Sequence, residues 1–367
     1  MEVTIKLFVI LALFISFITM PLFSRQDIYF GIRIADLDSK KLRGVWRKYI
    51  FYNIVLALFM SYLILTLKDP LIGILIPTFA YIFLYMVIYI KSHKEIKAIK
   101  DSIIRDSGEE SKPAITVVDM NFTKERNENI NVSPYYFILP LLITLVTVII
   151  TIMYYDRIPD PLPMHYNMAG EVDGWADKSF WSVFLLPITS LGMTGLFYFI
   201  YLIIGKSKQE LNSKNPKTSA RQNRKYRKIW RIYTIISATL MTCLFSYMHL
   251  YIFRDPSNPS PMIMYVTLGF SFLMILSTLI IGIYVGNGGN KLSSNNDIEE
   301  EWEADNTDDD RHWKWGSFYY NKEDPSVFIE KRMGIGWTVN MATWQGKAFI
   351  IGTLAFSIII LAIAIVQ

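Results

Sequence analysis

The residues of this 367-residue chain whose types and spacing could do chemistry lie between Asp156 and Phe180. There His165, Asn167, Glu171 and Asp173 stand among Pro159, Pro161, Pro163, Gly170 and Gly174. Imidazole and carboxylates are ordinary ligands of divalent ions, so His165 with Asp160, Glu171, Asp173 or Asp177 could be assembled into a metal site. One histidine among scattered acids is a thin ligand set, and the expectation is that the chain holds no metal and no cofactor. Hydrolysis by Glu171 or Asp173 would need a nucleophile and an oxyanion pocket from another element on the same face, and none supplies them. No P-loop, dinucleotide glycine fingerprint, nucleophile elbow or zinc-protease helix occurs anywhere in the chain. Recognition without catalysis is therefore the expected role of this stretch. A connector between neighbouring helices needs only a few residues, and ordered loops on rigid scaffolds are common binding sites. The competing reading is a cap on the bundle, with His165 and Asp173 tying the ends of the loop together and Gly170 and Gly174 supplying backbone conformations that other residues resist.

The elements that must hold this stretch are membrane helices. Hydrophobic residues make up 52% of the chain and collect into runs near the length that crosses a hydrocarbon core of about 30 Å. The expected fold is an all-α polytopic membrane protein with eight transmembrane helices at 3–23, 49–67, 71–90, 135–155, 180–204, 229–252, 261–285 and 348–366. The first run ends in Met20-Pro21-Leu22-Phe23, which offers no small-residue cleavage site, so it reads as a retained span. Lys and Arg number 7, 1, 8, 2, 9, 1 and 7 in the seven successive loops. By the positive-inside rule this alternation places loops one, three, five and seven in the cytoplasm, and both termini and the His165 loop outside. The net charge of +5 is thus assigned to membrane orientation, with the lipid bilayer as partner and no nucleic acid. The single Cys243 excludes an internal disulfide and reads as packing within a span. The spans carry no ionisable residue in their middles: Lys6, Arg231 and His249 lie near ends, and Asn53 is the principal buried amide, which argues against a proton-coupled pump.

Five segments follow: 1–134, three helices with their cytoplasmic loops; 135–204, a helix-loop-helix domain whose extracytoplasmic loop is 156–180; 205–285, two helices; 286–347, a cytoplasmic loop with an acidic linker and an aromatic module; and 348–367, the last helix. In loop one, residues 29–34 alternate as a strand does. Loop three opens with a charged continuation of the third helix, 91–105, passes a breaker region at 107–113 and reaches a second strand-like run at 115–122. His93 there is expected to be a solvated surface residue. Loop five ends in the basic run Arg221 to Lys228, a stop signal beside anionic lipid. In loop seven the acidic tract 297–310 is expected to be disordered. The aromatic-rich stretch beyond it should fold, with turns at Asp324-Pro325 and Gly334-Ile335-Gly336 between short strands at 327–331 and 337–341. Together these strands would form a small cytoplasmic β-containing layer from loops one, three and seven.

The string Ile158-Pro159-Asp160-Pro161-Leu162-Pro163-Met164-His165-Tyr166-Asn167, followed by Gly170-Glu171-Val172-Asp173-Gly174, resembles a bacterial membrane domain of unknown function shared with SdpI-type bacteriocin immunity proteins. A second string, Tyr319-Tyr320-Asn321, Asp324-Pro325, Phe328-Ile329 and Lys331-Arg332-Met333-Gly334-Ile335-Gly336-Trp337-Thr338-Val339-Asn340, resembles an uncharacterised C-terminal module found with that domain in larger relatives, and Phe30-Gly31-Ile32-Arg33 fits the same architecture. The resemblance implies a multi-pass protein of the bacterial cytoplasmic membrane. It implies immunity to, resistance to or sensing of a membrane-active peptide or antibiotic, with such a peptide or a cytoplasmic regulator as partner. A small-molecule or peptide permease and a membrane enzyme acting on lipid or cell wall through the His165 loop stand as alternatives.

Overall fold

A computed structural model describes residues 2–24, 27–34, 39–67, 72–107, 132–167, 171–209, 216–253, 261–292, 309–334 and 336–366. Among these residues the α-helices are α1 (Glu2–Thr19), α2 (Ser39–Thr66), α3 (Ile72–Ser107), α4 (Ile138–Met153), α5 (Phe180–Lys206), α6 (Pro216–Leu250), α7 (Met262–Val285) and α8 (Trp344–Val366). Among the described residues seven helical stretches are long and apolar enough to cross a membrane: Lys6–Phe23, Lys40–Thr66, Gly73–Asp106, Pro134–Met153, Phe180–Lys206, Thr218–Phe253 and Met262–Gly289. This is an integral, multi-pass membrane protein. Along their apolar runs these helices expose large hydrophobic side chains, among them Leu142, Leu145 and Ile149 on α4 and Leu58, Phe59 and Phe83 on α2 and α3, as a lipid-facing surface requires.

Four antiparallel strand pairs accompany the helices: β1 (Ile28–Tyr29) with β2 (Ile32–Arg33), β3 (Leu162–Tyr166) with β4 (Val172–Ala176), β5 (Trp313–Lys314) with β6 (Phe318–Tyr319), and β7 (Phe328–Glu330) with β8 (Trp337–Val339). The chain divides into two compact units.

The first unit comprises chiefly Glu128–Gly205 and Arg227–Ile280. Its apolar helices are joined by a polar seam. Thr144, Thr147 and Thr151 recur at i, i+3 and i+7 on α4 and therefore share a face. Each donates to a carbonyl four residues back and also reaches a neighbouring helix: Thr144 to Ser190 at 3.2 Å, Thr147 to Ser246 at 2.8 Å and Thr151 to His249 Nε2 at 2.7 Å. Such interhelical bonds contribute about 0.6 kcal/mol each in lipid, up to about 1.7. The buried Arg227 donates to the Ile204 carbonyl at 2.9 Å, which satisfies one of the orphan acceptors at the end of α5. Cys243, expected to pack inside, faces outward instead.

The second unit comprises Lys6–Asn127, Lys206–Tyr226 and Ile281–Gln367. Tyr49, Tyr81, Tyr85 and Tyr89 line the interface of α2 and α3, and Phe17 of α1 stacks on Tyr85 with ring centroids 3.9 Å apart. Residues 29–34 are a tight hairpin where a single strand was expected: Phe30 (φ 48°) and Gly31 (φ 79°) make its turn, both left-handed, which suits the right-handed twist of the flanking strands. Burial of the Phe30 ring against Trp46 and Tyr49 offsets the cost of that φ in a residue with a side chain. Gly31 meets Gly316 backbone to backbone, and a Cβ on Gly31 would stand 2.4 Å from the Gly316 Cα.

Three further expectations change. The basic run 221–228 is helical, part of α6, because nothing between Pro216 and Leu250 interrupts helix propagation. His93 is buried, its Nδ1 2.8 Å from the Phe30 carbonyl, since the loop-one hairpin covers this face of α3. The β layer is a set of separate strand pairs, and loop five joins it through Lys208, whose N donates to Phe328 O at 2.8 Å. The expected strand at 115–122 and breaker at 107–113, beyond Ser107 itself, lie outside the described residues.

Candidate functional site

The outer stretch is a rooted hairpin. At its base Ile158 and Leu162 are buried with Val183, Phe184 and Ile252, and Tyr166 meets Tyr251 edge-on at 5.5 Å. Ser179 and Ser182 exchange hydrogen bonds with each other's backbone N–H at 3.2 and 2.9 Å, a reciprocal cap that starts α5. Lys178 ties the return strand down: its N donates to Asp160 Oδ1 at 3.2 Å, its Nζ to Ile158 O at 3.0 Å, and the ammonium lies over the Tyr155 ring.

Above this root the pairing is irregular. Pro163, buried, stands opposite Trp175, His165 opposite Gly174 and Tyr166 opposite Val172, so Met164 and Asp173 are the extra residues at two bulges. Bulges re-aim side chains. Here they turn His165 Nδ1 onto Asp173 Oδ1 in a short hydrogen bond, with the two side chains 73% and 44% exposed. Gly174 is small for a reason, because a Cβ there would lie 2.8 Å from the His165 Cβ. Asn167 and Glu171 close the tip through three bonds: Asn167 N to Glu171 O at 2.8 Å, Asn167 Nδ2 to Glu171 Oε2 at 2.8 Å and Glu171 N to Asn167 Oδ1 at 3.0 Å. Gly170 lies outside the described residues. Among the described residues no group of three His, Cys, Asp or Glu side chains is arranged to hold a metal ion. Met164 and Trp175 on the hairpin and Phe180 and Trp181 at the start of α5 are exposed, and Trp is a residue that favours a membrane–water interface.

The residues expected to form the C-terminal module come together as a second polar centre. Asn340 is fully buried and its amide is saturated: Oδ1 accepts from Asn321 N at 3.1 Å and Ala342 N at 3.0 Å, while Nδ2 donates to Asn321 O and Asp324 O, each at 2.8 Å. Asp324 accepts from Lys208 Nζ at 2.6 Å, Tyr319 OH at 2.9 Å and Ser326 N at 2.9 Å. Pro325 beside it is exposed, and Tyr320 N donates to His312 O at 2.8 Å. Lys331 N donates to Gly336 O at 3.1 Å across a turn in which Gly334 (φ 82°) and Gly336 (φ 101°) are left-handed; burial lowers the Lys331 pKa. Trp337 lies against Tyr226.

Arg332 is fully buried. Its guanidinium donates to Gly31 O at 3.2 Å and, in short bonds, to Asp309 and Asp310, and it lies over the Trp313 ring. Lys100 Nζ reaches the other Asp310 oxygen at 2.6 Å, and Arg33 stands 3.4 Å from Asp309. Asp309 and Asp310 close the tract expected to be disordered, yet they are ordered because they neutralise Arg332; residues 297–308 lie outside the described residues. The sequence reading gave these two aspartates no role beyond the acidic tract, and gave Gly316 none. The Thr144, Thr147, Thr151 seam escaped it too, although its helical spacing was there to be seen.

Burial alone would raise the carboxyls of Asp309 and Asp310, but Arg332, helped by Arg33 and Lys100, holds both below the ordinary carboxylate value; Asp324 is lowered in the same way by Lys208 and Ser326. A folded pKa below the unfolded value of about 3.9 contributes stability that is complete above that value and lost as pH falls through the folded pKa. The Asp309–Met341 region should therefore lose protease resistance steeply below about pH 4, as these carboxylates protonate. A smaller decline precedes it as pH falls through the ordinary histidine range, because burial also lowers the His93 and His312 pKa values. Resistance that stays unchanged from about pH 5 to well below pH 4 would contradict the carboxylate assignments.

Residues 142–191 match a domain of unknown function, DUF1648, a family of membrane proteins, and residues 322–347 match a family of unknown function, DUF5808. The first match covers the hairpin, most of α4 and the first part of α5; the second covers Asp324, Arg332 and Asn340. No curated protein and no solved structure matches the chain.

Proposed function

We propose that this protein is a non-enzymatic recognition protein of the bacterial cytoplasmic membrane, in which the His165 hairpin receives a membrane-active peptide and so confers resistance to it or senses it. In this reading α8 is an eighth span and both termini share the outer side with the hairpin. The observation that carries it is the exposure of the hairpin's functional edge above a buried root. A cap would bury its ordered side chains against the helix ends, whereas His165, Asp173, Met164 and Trp175 project from the root into the medium.

Charge and polarity suit the partner. Residues 156–180 carry five carboxylates against Arg157 and Lys178, and the exposed rings of Trp175, Phe180 and Trp181 lie beside them. A cationic amphipathic peptide arriving at a membrane surface offers the complement to both. The likeness of the loop to SdpI-type immunity proteins agrees with that partner.

Cells carrying His165→Ala, Asp173→Ala or Asn167→Ala should become as susceptible to the cognate membrane-active peptide as cells lacking the protein, at normal membrane abundance. A panel of cationic peptides and membrane-directed antibiotics against the deletion strain identifies that compound. Variants that vanish from the membrane would instead assign the hairpin to capping, and a stoichiometric metal lost with His165→Ala would reopen catalysis.

A further inference from the structure

Helix α3 continues for more than four turns past Ile90, where its apolar run ends. Beyond that point Lys97, Lys100 and Ile104 repeat at i, i+3 and i+7 and share one face. Facing them is the β5–β6 hairpin, and a cleft of about 620 Å³ lies between the two, within the size range of small-molecule sites. We propose that this cleft binds a phosphate-bearing anion.

Its walls carry Lys97, Lys100, Arg311 and Lys314, with the indoles of Trp313 and Trp315 beside them. The carboxylates present are Asp101 and Asp310. Asp310 is already committed to Arg332, Lys100 and the Arg33 N–H. Lys97, Arg311 and Lys314 have no carboxylate partner among the described residues: Arg311 Nε donates to His312 at 3.0 Å and Lys314 Nζ to the Arg311 carbonyl at 3.3 Å. Three cations converging on one space repel one another, and an anion between them converts that repulsion into charge-assisted hydrogen bonds. Arg and Lys together suit phosphate, Arg as a planar fork and Lys as a mobile point charge.

The excess of cations excludes a divalent metal as the occupant. A compact cleft with an indole on its rim, Trp315 being 55% exposed, suits a phosphorylated small molecule or a headgroup better than an extended acidic peptide. At a rise of 1.5 Å per residue, Lys97 stands about 10 Å and Ile104 about 20 Å beyond Ile90 along the helix. The polar layer of a bilayer is roughly 5–8 Å deep on each side, so the cleft begins just past headgroup level and runs outward. A lipid headgroup and a soluble phosphate ester share the chemistry required, and the test separates them.

The test uses the full chain in phosphatidylcholine nanodiscs. Inorganic pyrophosphate, measured by calorimetry, is expected to bind one per chain, more weakly as salt is raised, and about tenfold or more weakly to the triple variant Lys97→Gln, Arg311→Gln, Lys314→Gln. If pyrophosphate does not bind but phosphatidylglycerol mixed into the discs stays with the wild-type chain in native mass spectrometry, and leaves the triple variant, the anion is a lipid headgroup and the proposal stands. Should the triple variant unfold at lower temperature than the wild type, the exposed Lys97→Gln alone decides, with a smaller loss of affinity in the same direction. Equal binding of both probes to wild type and variants, or binding of neither to the wild type, overturns the proposal.

Discussion

Arg332→Ala is expected to destabilise the β5–β8 region by about 3–5 kcal/mol, the usual cost of removing one partner from a buried ion pair. The guanidinium has no solvent exposure and meets Asp309, Asp310, Gly31 O and the Trp313 ring together. Without it, among the described residues Asp309 keeps only Arg33 at 3.4 Å, and Asp310 keeps Lys100 at 2.6 Å and the Arg33 N–H at 3.2 Å. The carboxylates are left short of positive charge in a place where water compensates them poorly. The loss should appear as a lower unfolding temperature of the full chain in detergent and as new protease cleavage after Asp309. Adding Asp309→Asn and Asp310→Asn to Arg332→Met should recover part of it, because the uncompensated charges go too. If Arg332→Ala alone leaves protease resistance and unfolding temperature unchanged, Arg332 is not the centre that orders this region.

The centre built on Arg332 also marks where the sequence stops being legible. Membrane class and the approximate place of each apolar run follow from hydropathy, because lipid imposes the same requirement on every residue of a span. The His165 loop stands out because its prolines, glycines and acids cannot be a span, but its strand pairing was invisible: two bulges break the alternation from which a strand is recognised. Composition marks Asp324 as a turn residue and Asn340 as part of a short strand, but Arg332, Asp324 and Asn340 were reached as site residues only through a resemblance. The partners Asp309 and Asp310 were hidden because they sit at the end of an acidic tract whose composition reads as solvated, and only the fold brings a buried guanidinium to them. Gly31 and Gly316 meet across a large separation in the chain, and no local periodicity reports a contact of that kind. His93 was misplaced for the same reason: its own helix exposes it, and the hairpin that covers it belongs to another loop.

Asn340→Ala should be nearly as damaging as the loss of Arg332, at roughly 3 kcal/mol or more. The variant leaves the Asn321 N–H and C=O, the Asp324 C=O and the Ala342 N–H without the partner that satisfies them, and an unsatisfied buried polar group costs about 1–3 kcal/mol. The same residue leads into α8: its carbonyl accepts from Thr343 Oγ1 at 2.8 Å, and Thr343 Oγ1 accepts from Gly346 N at 3.1 Å. Gly346 allows the approach, since a Cβ there would lie 2.1 Å from the Asn340 carbonyl oxygen. The Asn340 backbone and side chain thus hold the 321–326 loop, the end of β8 and the start of the last helix at one point. Two further substitutions separate hydrogen bonding from mere space filling. Asn340→Leu keeps the volume and should fail as badly as Asn340→Ala. Asn340→Asp keeps both accepted bonds but sets a carboxylate against two carbonyl oxygens, so it should fail at neutral pH and recover partly where the new carboxyl is protonated and can donate one bond. Should Asn340→Leu unfold at the wild-type temperature, the amide fills space and the four hydrogen bonds carry little of the region's stability.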